Sequence, residues 1–311
     1  MTAPQHERSV CKILLSCAVV VLKRFGVIGC GYVGSAVSRR LHRAGYDVVA
    51  TVRDQLRFPL VEALGATPAL LDLASERADF RFLEKLDGLL ISVAPTRQDD
   101  NYEDVYAKGI GNLVQALKIS SNTRPLHITY ISTVGVFGDQ GGNRVHEGSP
   151  LDLSHPINRL LINAEQEILG LQGDNRDVCV LRLGGIYGPG RDMVALVQQA
   201  AGRNISRDGD HIPAWTHLED ITRGVEFARR HNLKGTFNLV DDMSLSRRQL
   251  ANIICERRGL PPVIWRGAPN GARVVNASVS NTKIKHHGFT FHSPSMLGLS
   301  THSSERVSSQ A

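Results

Sequence analysis

The chain has 311 residues, 42% hydrophobic and 21% charged, with a formal net charge of +6. That length suits one large core, or one domain with a smaller lobe, in an ordinary globular protein. Aromatic residues are only 5% and no Lys/Arg block is paired with a stacking platform, which argues against a nucleic-acid partner.

Residues 1–23 read as an extension. Ile13 to Leu22 (ILLSCAVVVL) is an apolar run after Arg8 and Lys12, like the core of a signal peptide. It is too short to span a bilayer, and it runs almost directly into the first strand. An element packed on the core, a secretion signal and an upstream start codon all fit; the first and third together fit better than secretion. Cys11 and Cys17 lie here, while Cys30, Cys179 and Cys255 are scattered through predicted elements. No pair has metal-ligand spacing and no histidine lies in HExxH, so no metal and a reducing, cytoplasmic compartment are expected.

Residues 24–54 carry the strongest pattern. A short apolar run, Phe25 to Ile28, enters Gly29-x-Gly31-x-x-Gly34; a helical pattern follows, and then a second apolar run, Val48 to Val52. Strand, tight turn, helix and strand in that order open a dinucleotide-binding unit. Gly29 permits the turn, Gly31 admits a pyrophosphate, and Gly34 packs helix on strand. The backbone N–H groups of Tyr32 and Val33 face the phosphates at the helix N-terminus. The second strand ends at Val52-Arg53 without a carboxylate, and Arg53 can grip a 2′-phosphate, which favours NADP over NAD. Asp54 keeps NAD open, because it becomes the ribose acid if the strand runs slightly longer.

Strand and helix patterns then alternate. Residues 67–71 form a third strand ending at Asp72-Leu73, Glu76 to Leu86 a helix, and Gly88 to Val93 a fourth strand closed by Ala94-Pro95. Tyr102 to Lys118 is a long helix whose Gly109 and Gly111 cost about 1 kcal/mol each against alanine, so close packing is expected at both. Leu126 to Ser132 is a fifth strand, Asn158 to Leu169 a helix, and Asp177 to Leu183 a sixth strand. The pattern predicts an α/β fold, a doubly wound parallel sheet with ligands at the carboxyl ends of its strands. Beyond, residues 184–191 (GGIYGPGR) read as a loop, Met193 to Gly202 as a helix, 217–230 as a helix capped by Asp220, Thr236 to Val240 as a strand, and Ser246 to Arg258 as a helix capped by Ser246. The Ser-rich end, from Thr301, reads as disordered.

These motifs, together with STVGVFGD (132–139), NAEQEIL (163–169), LRLGGIYGPGR (181–191), HLEDITRGV (217–225) and SNTKIKHHGFTFHSPS (280–295), resemble the short-chain dehydrogenase/reductase superfamily in its extended, nucleotide-sugar epimerase-like branch. The resemblance covers 24 to about 297. It implies a Rossmann domain over 24–183, sheet completion and a substrate lobe over 184–299, and a tail over 300–311. It also implies cofactor contacts from Gly29, Gly31, Gly34, Arg53, Asp72 and Ala94, a small-molecule or nucleotide-sugar substrate, and a possible homodimer paired through helices on the sheet flank.

The departures from the family bear on chemistry. Extended members usually carry Gly-x-x-Gly-x-x-Gly. Their catalytic centre is a Ser or Thr after the fifth strand with Tyr-x-x-x-Lys on the next helix, the Tyr being the acid/base and the Lys lowering its pKa. Thr133 aligns with the hydroxyl and Ser132 adjoins it, but Ile157 falls at the Tyr place and Leu161 at the Lys place. This looks like the atypical subgroups of the family. His155, near Asn158, can serve as a proton relay or be a loop histidine before Pro156. Arg159 can grip a ribose or phosphate, or be solvated. Tyr187 can donate a proton or pack. Thr133 can act in catalysis or satisfy its own backbone. Arg191, Trp215 and His217 fit a base or diphosphate, and equally a core tryptophan and surface charges. An NADP-dependent oxidoreductase or epimerase/dehydratase with a remodelled relay is the leading expectation, ahead of a non-catalytic dinucleotide sensor.

Overall fold

The computed structural model describes residues 23–95, 101–120, 122, 124–293 and 295–297; the runs 1–22 and 298–311, and with them the N-terminal apolar run and the Ser-rich tail, lie outside the described residues. Seven strands build one sheet: β1 (Arg24–Ile28), β2 (Asp47–Val52), β3 (Thr67–Leu70), β4 (Gly88–Ile91), β5 (Leu126–Thr133), β6 (Arg176–Leu183) and β7 (Gly235–Leu239). All pair in parallel, in the spatial order β7-β6-β5-β4-β1-β2-β3. The winding reverses between β1 and β4, which opens a crevice at their carboxyl ends, as in a Rossmann fold.

Strand alternation sorts the core into two layers. Phe25, Val27, Ala50, Leu90 and Leu181 face α1 (Tyr32–Arg43) and a later helix at Leu218–Arg230. Ile28, Leu89, Ile91, Tyr130 and Val180 face α2 (Ile110–Ile119) and α3 (Pro156–Leu169). Each fully buried aliphatic side chain stabilises the fold by about 1.5–3 kcal/mol relative to exposure, so these layers fix the sheet and the loops at its edge. The helices α4 (Met193–Ala200), α5 (Leu218–Arg230) and α6 (Arg247–Arg258) follow, and α6 opens on a capping box between Ser246 and Gln249.

Four expectations are corrected. Glu76 to Leu86 holds turns and a single 3-10 turn, Arg81–Leu83, instead of an α-helix. Asp79 accepts from both the N–H and the guanidinium of Arg81, a local bonding that competes with helix. Residues 184–191 are not all loop, since Gly185–Tyr187 is a strand parallel to Trp215–His217. Gly184 makes that approach possible, because a Cβ there would lie 2.4 Å from the Ala214 carbonyl oxygen. Asp220 does not cap α5. His217 does, with Nδ1 accepting from the N–H of Glu219, while buried Asp220 accepts from the N–H groups of His292 and Ser293. Finally, close packing holds at Gly109, where a Cβ would lie 3.0 Å from Cβ of Leu73, but not at Gly111, where the nearest atom, Oε2 of Glu167, would be 4.0 Å away.

Candidate functional site at the carboxyl edge of the sheet

The glycine turn leaves β1 at Gly29, whose φ of +89° favours glycine. Its N–H donates to Oγ1 of Thr51 at 3.0 Å, and the N–H of Cys30 donates to the Thr51 carbonyl at 2.8 Å, so β2 holds the turn from beneath. A Cβ on Gly34 would lie 2.1 Å from the Gly29 carbonyl oxygen, whereas nothing lies within 4 Å of one on Gly31. No side chain caps α1. The first-turn N–H groups, including those of Tyr32 and Val33, therefore have no intrahelical acceptor and stand beside the open space at Gly31. An uncapped helix start with room above the middle glycine fits a pyrophosphate.

At the end of β2, the Asp54 carboxylate turns back on its own chain and accepts from the N–H of Leu56 at 2.9 Å. Arg53 is half-buried beside it. Arg57, which sequence reasoning missed, donates from Nη2 to the Cys30 carbonyl at 3.4 Å and so leans over the glycine turn. Asp72 is exposed after β3 and accepts from the N–H of Ala74. Ala94 follows β4 at the same edge of the sheet.

The hydroxyl candidates divide. Half-buried Thr133 ends β5, and its Oγ1 accepts from the N–H of Gly135 at 3.0 Å. Ser132 points into the protein and donates to Glu165 at 2.5 Å; Glu165 is forked by Arg182, and all three side chains are buried. His155 caps α3, with Nδ1 accepting from the N–H of Ile157 at 3.2 Å. Arg159 donates to the carbonyls of Leu153 and Ser154. Ile157 packs on the core and Leu161 is buried in it.

Tyr187 is buried, and its hydroxyl donates to Oδ2 of Asp241 at 3.1 Å. Burial pushes the Asp241 carboxyl up to about 8 and, with Asp241 beside it, pushes the Tyr187 phenol far above its ordinary range. Asp241 lies two residues past β7 in Val240-Asp241-Asp242; a carboxylate just past a strand's carboxyl end was the available signal for it. Trp215 packs against Tyr187, Met243 and Leu250, so it is a core tryptophan. Tyr187, Arg191, His217, Ser293 and Met296 line a cleft of about 630 Å³. Arg191 stacks 4.1 Å from the ring centroid of Tyr32.

On the α3 side, Asn158 is fully buried. Its Nδ2 donates to Asp152 at 2.8 Å and its Oδ1 accepts from Nε of Arg273 at 2.7 Å. Nothing in the sequence around 273 marked that arginine. Among the described residues no group of His, Cys, Asp and Glu is placed to hold a metal, and no helix is long and apolar enough to cross a membrane.

A model of the NAD-dependent epimerase/dehydratase family matches residues 27–239. No curated protein matches the sequence significantly. Among solved structures, a functionally unknown conserved protein from Silicibacter pomeroyi DSS is 25% identical, with a TM-score of 0.70 over 88% of this chain and 95% of its own. The dTDP-glucose 4,6-dehydratase DesIV from Streptomyces venezuelae, with NAD and TYD bound, is 19% identical, with a TM-score of 0.69 over 85% and 90%. The UDP-glucose 4-epimerase of Thermus thermophilus, in complex with NAD, is 19% identical, with a TM-score of 0.68 over 86% and 93%. At 19% identity the last two share the fold.

Proposed function

Given that the chain belongs to the NAD-dependent epimerase/dehydratase family, we propose that it binds NADP(H) and acts on a small-molecule substrate, of which nucleotide-sugars are the leading class. Its reaction is that of an oxidoreductase or an epimerase/dehydratase with a remodelled proton relay. The end of β2 carries the cofactor reading. Val52 stands at the ribose-acid place with Arg53 directly after it, Asp54 turns one oxygen to the N–H of Leu56, and Arg57 leans toward the glycine turn. Two guanidinium groups at the end of β2 attract a 2′-phosphate by charge-assisted hydrogen bonds, and no carboxylate stands at the ribose-acid place itself.

When bound, the nicotinamide supplies hydride exchange with a carbinol or ketone. The residues of this chain do the rest. The turn from Gly29 to Gly34 receives the pyrophosphate, with Asp72 and Ala94 flanking the nucleotide. Thr133 ends β5 where a substrate hydroxyl or carbonyl would lie, and its oxygen keeps one lone pair and its proton after accepting from Gly135. Ile157 and Leu161, at the places of the family's Tyr and Lys, supply neither a proton nor a ribose contact. The division into a cofactor domain, 24–183, and a substrate lobe with sheet completion, 184–299, follows the same reading. The three described cysteines are free thiols, which suits a cytoplasmic location.

The deciding experiment is thermal denaturation with each cofactor. NADPH is expected to raise the melting temperature well above NADH at equal concentration, and Arg57→Ala to shrink that difference. Equal shifts in the wild type would overturn the NADP reading. A second reading, a dinucleotide-binding sensor without turnover, is favoured by His155, Arg159 and Tyr187 all being engaged within the protein. Tight NADPH binding without turnover on a broad panel of carbonyls and nucleotide-sugars would select it.

A further inference from the structure

Arg273 comes from a stretch remote from the sheet and delivers its side chain to the loop that leaves β5. A Cβ on Gly135 would lie 2.2 Å from Nη2 of Arg273 and 2.8 Å from its Cζ, so the guanidinium lies directly against that glycine. Gly135 is in turn held by Thr133. On either side of Arg273 in sequence, Ala272 and Val274 line a separate cavity of about 330 Å³ with Asp152, Ser154 and His155, while Arg273 turns to Asn158.

The bonding of this guanidinium is incomplete. Nε donates to Asn158, but Nη2 is buried with no hydrogen-bond partner, and Arg273 makes no ion pair with a described carboxylate. Asp152 is the carboxylate that bears on its charge, and its oxygens are engaged by Ser154 and Asn158. The phenols of Tyr102 and Tyr106 also bear on it, and the Tyr106 hydroxyl donates to the Val93 carbonyl at 3.3 Å, just past β4. Burial alone disfavours the charged form of Arg273. Leaving a buried donor of a charged group unpaired is costly, and such a group is stable where a ligand completes it. The amide of Asn158 is held by Asp152 on one side, so its oxygen is oriented for Arg273 before any ligand arrives.

We propose that Arg273 is the substrate-anion receptor of this site, taking a carboxylate or phosphate oxygen on the nitrogen that the protein leaves unpaired beside Thr133 and Gly135. The inference rests on the reading that substrate meets cofactor at the end of β5. Asn158 acts through Arg273 as its positioning residue. The anion falls beside Thr133 at the end of β5, next to the helix that carries Ile157 and Leu161 at the places of the family's Tyr and Lys.

The test uses the full chain, first with NADP alone and then with NADP at saturation plus malonate or inorganic phosphate, read by thermal shift and calorimetry. At least one probe is expected to raise the melting temperature saturably, and the stronger probe identifies the anion as carboxylate or phosphoryl. Arg273→Gln is expected to weaken that probe at least tenfold with NADP affinity unchanged. Arg273→Lys, which keeps the charge but loses the fork, should fall between. Gly135→Ala keeps every charge while displacing the guanidinium, and should also lose the probe. No response of the wild type to either probe, or an undiminished response in folded Arg273→Gln, would overturn the proposal. A probe response without any NADP shift would leave Arg273 as an anion site and sink the cofactor reading instead.

Discussion

The Tyr32 hydroxyl donates to the carbonyl of Pro189 at 2.7 Å, joining the start of α1 to a loop 157 residues away. Arg191, two residues beyond, lies over the same ring. The side chain that follows the middle glycine of the turn is thus the fastening point for the rim of the 630 Å³ cleft. Two contacts act on one tyrosine, and substitution separates them. Tyr32→Phe removes only the hydrogen bond, worth about 0.5–1.5 kcal/mol, and is expected to weaken NADPH binding no more than about tenfold. Tyr32→Ala also removes the ring under Arg191, adding about 0.5–1 kcal/mol for a surface cation–π contact, and should weaken it further. Calorimetric titration of both variants checks the order. Equal affinities in wild type and Tyr32→Ala would show that the fastening does not bear on the cofactor.

Glu165 is the hinge of a buried network: it accepts from Ser132 and from a forked Arg182, which also lies 5.2 Å from the ring centroid of Phe137. Breaking a buried pair from one side leaves an uncompensated charge, at a cost of about 3–5 kcal/mol. Glu165→Leu is therefore expected to destabilise by that amount in urea denaturation, whereas Ser132→Ala, which leaves the ion pair intact, should cost about 1–3 kcal/mol. Both should leave NADPH affinity of the folded protein within about twofold, well under 1 kcal/mol. Loss of turnover in Ser132→Ala at full stability would return Ser132 to the chemistry.

The framework was legible because it is written in periodicity. β1, the glycine turn, α1 and β2 are local in sequence, and apolar alternation in β5 and β6 announces their two-faced burial. What escaped depends on long-range approach. Asp220 has the residue type of an N-cap, yet its carboxylate is claimed by the backbone at 292 and 293. Arg273 meets Asn158 across 115 positions and Arg57 meets Cys30 across 27, and no spacing rule connects either pair. Thr133 could be placed by its position after a strand, but its bond to Gly135 forms only with the turn that follows.

Two buried groups give stability opposing dependences on pH. Burial raises Asp241 from an ordinary 3.8 to about 8. The fold therefore holds a proton that the unfolded chain releases, and this contribution, complete below about 4, is lost as pH rises toward 8. Burial lowers His127 from 6.5 to about 4. There the unfolded chain takes up the proton first, so stability is complete above about 6.5 and lost as pH falls toward 4. Between these limits the slopes offset below 6.5, and only the Asp241 slope persists from 6.5 to 8. Asp79, Asp152 and Asp210, held low by bonds to Arg81, Ser154 and Arg248, titrate at lower pH. In melting curves from about pH 4.5 to 8, Asp241→Asn should lose the alkaline decline, and His127→Gln should decline throughout. An unchanged profile in Asp241→Asn would show that its carboxyl titrates in its ordinary range.

Thr133 separates support from chemistry. Its Oγ1 accepts one hydrogen bond from Gly135, and its proton remains for a substrate oxygen. Thr133→Val preserves shape and loses both functions, so stability should fall by about 1 kcal/mol. If the hydroxyl steadies the reacting oxygen or relays its proton, turnover should fall by about 10²–10⁴ with NADPH affinity unchanged. Thr133→Ser retains an oxygen able to cap the turn and to donate, and should keep most of both. The informative readout is the split between kcat and KM. A fall in kcat alone marks an interaction made in the transition state, whereas a rise in KM alone marks one already present with bound substrate. If Thr133→Val loses stability but turns over at the wild-type rate, the hydroxyl serves only Gly135, and the proton must travel through another group at the end of β5.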